Sequence, residues 1–390
     1  MAQERKLPAK EDRHPASHRV GESVDFPFLL LVLLLLAVGL ACLYSASFAQ
    51  SEYDTGYEIS TKYLQKQAAC AAIGLVAMYF FSRLPAEIWD RLASPLYGVS
   101  VLLLLSVLVI GQEVNGAKRW ISLAGLQFQP SELAKFAMIL LFARLTVRFG
   151  PKAESFRFGV LGFGVALLGI LIPLALEKHL SAIMLMGMVA VVMMYVAGTS
   201  PKWLLAGAGA AAVFVVIYIT FMGYAGDRVT AWLHPEQDPG DTGYQILQSL
   251  YAIGSGGLFG LGYGKSRQKY LYLPFQYNDY IFAVICEELG LVGALLLMVL
   301  FAATILRGYW IALRASSRFA TVLAAGLVTL IAVQTILNLG VVTNLLPSTG
   351  IALPFFSYGG TALAVNLGEM GILLSISRSR NRTKKQEAIL

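Results

Sequence analysis

Charge is what this chain of 390 residues has least of: Asp, Glu, Lys and Arg together make up 14%, against about 25% in an ordinary soluble domain. That shortage excludes a water-facing surface over most of its length. Cysteine is scarce too. Cys42, Cys70 and Cys286 each fall in an apolar stretch without metal-ligand spacing, which argues against a disulfide framework or a zinc site. The four histidines are scattered and form no cluster. No repeat of about 20–50 residues is present, which sets aside solenoids and propellers. The net charge of +7 would suggest nucleic acid in a soluble protein; here it reflects topology, and no nucleic acid is expected.

What is abundant is apolar. Hydrophobic residues make up 57% of the chain, and blocks such as Leu31 to Leu43 and Val101 to Ile110 are almost purely aliphatic. Backbone polar groups inside lipid must be satisfied within their own segment, so such blocks are helices. Runs of the length that crosses a bilayer place ten spans near 26–48, 63–82, 92–111, 130–149, 156–176, 180–198, 203–224, 279–306, 319–344 and 358–377. With the N-terminus inside, 20 of the 30 Lys and Arg fall on the inner side, so both termini are cytoplasmic. The expected fold is therefore an all-α polytopic membrane protein. Residues 1–25 form a polar cytoplasmic tail, 26–377 the ten-helix membrane domain, and 378–390 a basic tail. The first apolar run is too long for a cleaved signal core and reads as a signal anchor. The large outer loop, 225–277, is rich in Gly, Tyr, Pro and Asp.

Ionisable groups are costly in hydrocarbon, about 2.5–3.5 kcal/mol on insertion scales, so their positions carry information. Three segments stand out, each at the outer start of a helix. The first runs from Asn115 through Lys118, Arg119, Trp120, Gln129, Pro130, Ser131 and Glu132 to Lys135. Alternation at Ile121, Leu123, Leu126 and Phe128 suggests a small interfacial hairpin. Pro130 suits a helix's first turn, and Glu132 and Lys135 share one helix face, where a self-neutralising pair is as good a reading as a functional one. The second is Tyr272 to Tyr280, where Asp279 is a candidate N-cap. Glu287 and Glu288 lie deeper in the same helix with no Lys or Arg within a turn, so they face the bundle or carry protons. The third, Asn338 to Thr361, is dense in Gly and Pro, a pattern tolerated at membrane depth only where protein buries it or it lines a polar cavity.

Helices four, eight and ten all direct their N-termini outward, where free N–H groups favour anions. With Lys118, Arg119 and Lys135 at the same level, the residues alone point to an outward-facing site for an anionic amphiphile. Other signals fail. Gly260 to Ser266 is one residue short of a phosphate-binding loop. The Met-rich stretch 184–194 is apolar filler, and Asp238–Asp241 lacks calcium-loop spacing. Gly290 and Ala294 read as a helix-packing pair.

Four segments resemble the SEDS family (FtsW, RodA, SpoVE). They are Asn115–Trp120 with Gln129–Lys135; Gly243–Ser249 through Ala252–Gly257; Asp279–Val284 with Glu287–Gly290; and Leu353–Gly360. The resemblance covers about residues 25–380. It implies a peptidoglycan glycosyltransferase of the bacterial cytoplasmic membrane that polymerises lipid II, partnered by a class B penicillin-binding protein and other divisome or elongasome membrane proteins. It makes Asp279 the catalytic general base. It also implies substrate contacts at Lys118, Arg119, Trp120, Gln129, Ser131, Glu132, Lys135, Gln248, Ser357 and Tyr358. If a divalent cation (Mg or Mn) serves the reaction, Asp279 or Glu132 is where it would bind. The chain departs from the family pattern at Phe275, where Glu is common, at Tyr277 and Asn278 in place of His and Thr, and near Glu177, which stands in for an acid usually placed after a Pro. The long polar tail and the Val114–Ile121 segment favour the FtsW-like branch and the division septum. A lipid II flippase is the main alternative, and a scaffold without chemistry ranks third.

Overall fold

The computed structural model describes residues 24–114, 117–123, 126–207, 209, 230–237 and 242–387. Ten helices with the bounds below and a small sheet organise most of them, and residues 201–207 and 230–233 are helical as well. The helices are α1 (Phe26–Asp54), α2 (Lys62–Phe81), α3 (Ala86–Ile110), α4 (Pro130–Phe149), α5 (Phe163–Leu176), α6 (Leu180–Val196), α7 (Thr242–Gly256), α8 (Ile281–Leu313), α9 (Arg318–Val342) and α10 (Gly360–Glu387). Between α3 and α4 lie β1 (Gln112–Val114), β2 (Ala117–Leu123) and β3 (Leu126–Phe128). A π-helical turn, Phe156–Gly162, leads into α5.

Seven stretches among the described residues are long and apolar enough to cross a membrane. The chain is a mostly helical, multi-pass membrane protein. α4 fails that test because Glu132, Lys135, Arg144 and Arg148 interrupt it, yet it matches the predicted span 130–149. The predicted seventh span, 203–224, lies largely outside the described residues, as do most of the N-terminal tail and the Asn115–Gly116 pair. Asp25, assigned from sequence to that tail, belongs to the fold. Its side chain caps α1 by accepting from Phe28 N at 3.1 Å and pairs with Arg307 at 2.9 Å.

The bundle is centred on α9 and α10, whose most apolar windows are 72% buried, against 22% for α2 and α3. Small residues let α2 and α10 approach closely: a Cβ at Gly74 would sit 3.0 Å from Ala364 Cα, and one at Gly371 would sit 2.7 Å from Met78 Cα. The expected hairpin is present. β2 pairs antiparallel with β3, Ile121 opposite Phe128, and β1 adds a third strand, Glu113 opposite Lys118.

The segment expected as one outer loop departs most from that reading. α7 packs along α8, and the chain beyond it binds α8 at a break in that helix, where Gly290 takes φ 65° and ψ −169°. Four main-chain hydrogen bonds cross the break: Leu261 N to Glu287 O and Gly262 N to Glu288 O, at 2.9 and 3.0 Å, and Leu291 N to Gly257 O and Val292 N to Leu258 O, at 2.9 and 3.1 Å. Gly290 lies nine residues into α8, about 13 Å along its axis. Residues 242–280 therefore enter the bundle and return, and their backbone satisfies the groups the helix break frees. Gly290 is the conformational hinge of this arrangement rather than half of a packing pair, since φ and ψ there are essentially restricted to glycine.

Candidate active site

Asp279 ends the returning segment. It is half-buried, and the N-cap position of α8 falls one residue later than expected, on Tyr280. Its backbone is held: Asn338 Nδ2, in α9, donates to Asp279 O and to Ile351 O, each at 2.7 Å. Gly350, with φ +64°, packs against the carboxylate; a Cβ there would lie 3.2 Å from Asp279 Oδ2. Ser357 Oγ donates to Asn278 O at 2.6 Å and accepts from Leu353 N at 2.7 Å. Tyr358 N donates to Tyr277 O at 2.9 Å. From α2, fully buried Gln67 donates to Ser357 O at 3.2 Å and accepts from Gly359 N at 3.1 Å. Segments about 80 residues apart, 277–280 and 348–359, thus form one polar floor. The rings of Tyr277 and Tyr358 pack against Tyr63, with centroids 4.5 and 4.9 Å from it.

A second group stands beside this floor. In α4, Lys135 Nζ lies 2.7 Å from Glu132 Oε2, both side chains nearly buried. Glu369 of α10 is buried, and neither of its carboxylate oxygens has a hydrogen-bond partner among the described residues. The charges of Lys135 and Glu132 both reach it. Arg119, in β2, donates to Lys178 O at 2.6 Å. That tie brings the hairpin over the α5–α6 turn, which carries Glu177 and His179. Burial raises the Glu177 carboxyl to about 8 despite the Arg119 charge beside it. Burial, and then the charges of Arg119 and Lys135, depress His179 to about 3. Both shifts favour the neutral form. Ser181 Oγ donates to Thr349 O, which links this turn to the Gly350–Asp279 floor.

The residues singled out from sequence thus fall into separate environments. Ser357 and Tyr358 stand beside Asp279. Glu132 and Lys135 form a buried pair, and Ser131 next to them is buried with no hydrogen-bond partner for its Oγ among the described residues. Gln129 and Trp120 are half-buried and Lys118 is exposed, all at the hairpin end of α4. Gln248 lies on α7, half-buried, one residue before Ser249, which ties α7 to Val342 O at 2.8 Å.

Glu287 and Glu288 face the bundle, as expected, but they have a countercharge. Lys269, nineteen residues before Glu288, places Nζ 3.1 Å from Glu288 Oε1. Short-range sequence reading missed Lys269, and also Asn338 and His179 as positioned groups. Lys269 closes the polar run Lys265–Lys269, and no local spacing marks it out from Lys265 or Arg267 as the countercharge. Among the described residues, no group of three or more His, Cys, Asp or Glu converges into a metal-binding set.

The fold and site together define a multi-pass membrane protein with a polar, acid-bearing site at the helix ends assigned outward. Comparison with known proteins then names its kind. The FtsW/RodA/SpoVE cell cycle protein family matches residues 26–382, and the chain belongs to that family. It is 40% identical over 363 residues to a probable peptidoglycan glycosyltransferase FtsW of Geobacter metallireducens, covering 91% of this chain and 95% of that protein. It is 36% identical over 372 residues to the peptidoglycan glycosyltransferase MrdB of Escherichia coli, covering 93% and 95%. Among solved structures it resembles a chain of a peptidoglycan synthase complex that coordinates polymerization and crosslinking, with a TM-score of 0.78 and 30% identity over 92% of this chain and 98% of that one.

Proposed function

We propose that this protein is a peptidoglycan glycosyltransferase that polymerises lipid II at the outer face of the membrane, with Asp279 as general base. The observation that carries the reading is the placement of Asp279. Its carboxylate borders Gly350, its carbonyl is fixed by Asn338, and Ser357 and Tyr358 are bonded to the two residues before it. A base must be fixed within hydrogen-bond reach of the hydroxyl it deprotonates, and a half-buried carboxylate on a braced backbone meets that need.

In this reading the acceptor sugar hydroxyl gives its proton to Asp279 as its oxygen attacks the donor's anomeric carbon. The bond from that carbon to the pyrophosphate breaks, and polyprenyl pyrophosphate leaves with the charge. Cationic donors near the departing pyrophosphate stabilise it. Exposed Lys118 and half-buried Arg119, on the hairpin above α4, suit that role better than Lys135, which already neutralises Glu132. The described residues do not assemble a cage for a resident metal. A magnesium or manganese ion that arrives with the pyrophosphate would take Asp279 or Glu132 as a single protein ligand.

Membership of a crosslinking complex by the structural relative supports a class B penicillin-binding protein as partner. The higher identity to the FtsW relative than to MrdB, 40% against 36%, supports a division role at the septum. Depletion of the protein would then give filaments; rounded cells would move it to elongation. The polymerase reading is tested by reconstituting the protein with its penicillin-binding partner in vesicles containing labelled lipid II. Glycan strands are the expected product. Translocated lipid without polymer would replace the reading with a flippase.

A further inference from the structure

The acids of α8 deeper than Asp279 are absorbed into a network that the proposed reaction does not use. Glu287, Glu288, Lys269 and Ser266 are all 3% exposed or less. Lys269 Nζ donates to Glu288 Oε1 and Ser45 Oγ, each at 3.1 Å, and to Gly264 O at 2.6 Å. Ser45 Oγ, from α1, lies 2.6 and 2.8 Å from the two Glu288 oxygens. Glu287 receives the start of the returning segment: its carboxylate accepts from Arg267 N at 3.0 Å, Gln268 N at 3.3 Å and the Ser266 hydroxyl. Two carboxylates on one helix thus hold an ammonium and three consecutive residues of a chain that is not helical.

From this anchor the chain reaches Asp279 by a short, constrained path. Leu273 N donates to Gln268 O at 3.0 Å, Gln276 Nε2 to Lys269 O at 3.4 Å, and Asn278 N to Phe275 O at 2.9 Å. Leu273 and Gln276 are buried, and Leu271 and Phe275 adopt φ of 67° and 55°. Charged groups that satisfy one another inside a membrane are costly to place there. They are well suited to fixing one arrangement of an irregular segment that has no helical hydrogen bonds of its own.

We infer that the Glu287–Glu288–Lys269 network is a positioning latch: it docks residues 266–278 on α8 and α1 and thereby sets where Asp279 presents its carboxylate. The inference rests on the general-base reading of Asp279. Glu287, Glu288 and Lys269 act through the segment and touch no reacting group. Loosening the latch moves Asp279 without altering substrate-binding groups on the hairpin, so kcat falls while KM for lipid II holds.

The test compares Ser266→Ala and Glu288→Gln with wild type in the full chain, purified with its penicillin-binding partner. Hydrogen exchange of residues 266–279 and steady-state kinetics are both measured. Ser266→Ala removes one hydroxyl and keeps every charge, so it reports even if Glu288→Gln fails to fold. Tyr263→Phe, which loses a hydrogen bond from the same turn to Ala41 O, serves as control with activity and exchange near wild type. Faster exchange confined to 266–279, with kcat lower by about 10- to 100-fold, the range for a displacement near 1 Å, and KM within about threefold is expected. Unchanged exchange there in both variants, or a loss carried wholly by KM, overturns the latch. Asp279→Asn is run alongside: full activity from it defeats the general-base reading, and the exchange data still decide whether the latch holds the segment.

Discussion

Replacing Gly290 with alanine probes the docking of residues 257–262 on the broken helix. At φ 65° and ψ −169° an L-residue occupies a region that costs about 1–3 kcal/mol. A Cβ there would also lie 2.6 Å from the Leu258 carbonyl carbon and oxygen and overlap Gly260 N. Those neighbours are backbone and cannot rotate away, so the loop must separate from α8. Four hydrogen bonds span the break, each contributing about 0.5–1.5 kcal/mol net. Losing even half of them together with the backbone strain gives a destabilisation of about 2–6 kcal/mol. Thermal unfolding in detergent, with hydrogen exchange of amides 257–262 and 291–292, measures it. Gly187→Ala is the matched control, since its helical site has open space around it and alanine there is expected to be neutral or mildly stabilising. Equal melting of Gly290→Ala and wild type, with amides 291 and 292 still protected, would refute the re-entrant docking.

Three further outcomes follow from the site. Asn338→Ala loses the bonds to Asp279 O and Ile351 O; it should destabilise by about 1–3 kcal/mol and lower kcat more than it raises KM, read by melting and kinetics. Lys118→Ala, at an exposed position on β2, should raise KM for lipid II with little change in melting, whereas Lys135→Ala strands Glu132 and should lower melting as well. The α5–α6 turn should make stability depend on pH in both directions. Glu177, raised to about 8, contributes stability that is complete below its unfolded value of 4.5 and lost as pH rises through 8. His179, depressed to about 3, contributes stability that is complete above 6.5 and lost as pH falls through 3. Glu177→Gln should therefore flatten the alkaline side of the melting profile and leave the acid side unchanged; an unaltered alkaline limb would count against a neutral Glu177.

How much of this was legible beforehand depended on the range of the interaction. Spans such as Pro130–Phe149 and Leu180–Val196 could be read because lipid permits only segments that satisfy their own backbone. The β2–β3 hairpin showed in the alternation of Ile121, Leu123, Leu126 and Phe128, while β1 did not, since Gln112, Glu113 and Val114 are too few to carry a period. Residues 257–280 could not be read as re-entrant. Their backbone is satisfied by α8 at a helix break, and neither Gly290 nor the glycines at 257, 260 and 262 announce that pairing locally. The countercharge of Glu288 was missed for the same reason, because Lys269 meets it through the fold and not through helical spacing. At Asp279 the motif indicated the residue, but the supports that hold it, Asn338, Gly350 and Ser357, come from about 60 to 80 residues further along the chain.

The general-base role proposed for Asp279 in lipid II polymerisation can be read from one reaction. The most direct measurement is glycan formation from lipid II by Asp279→Asn and wild type, each purified with its penicillin-binding partner and matched for melting temperature. Strands from wild type and a loss of at least about 100-fold in the variant, with lipid II binding retained, are expected. Strands from both at similar rates would contradict that role and move the proton transfer to another group.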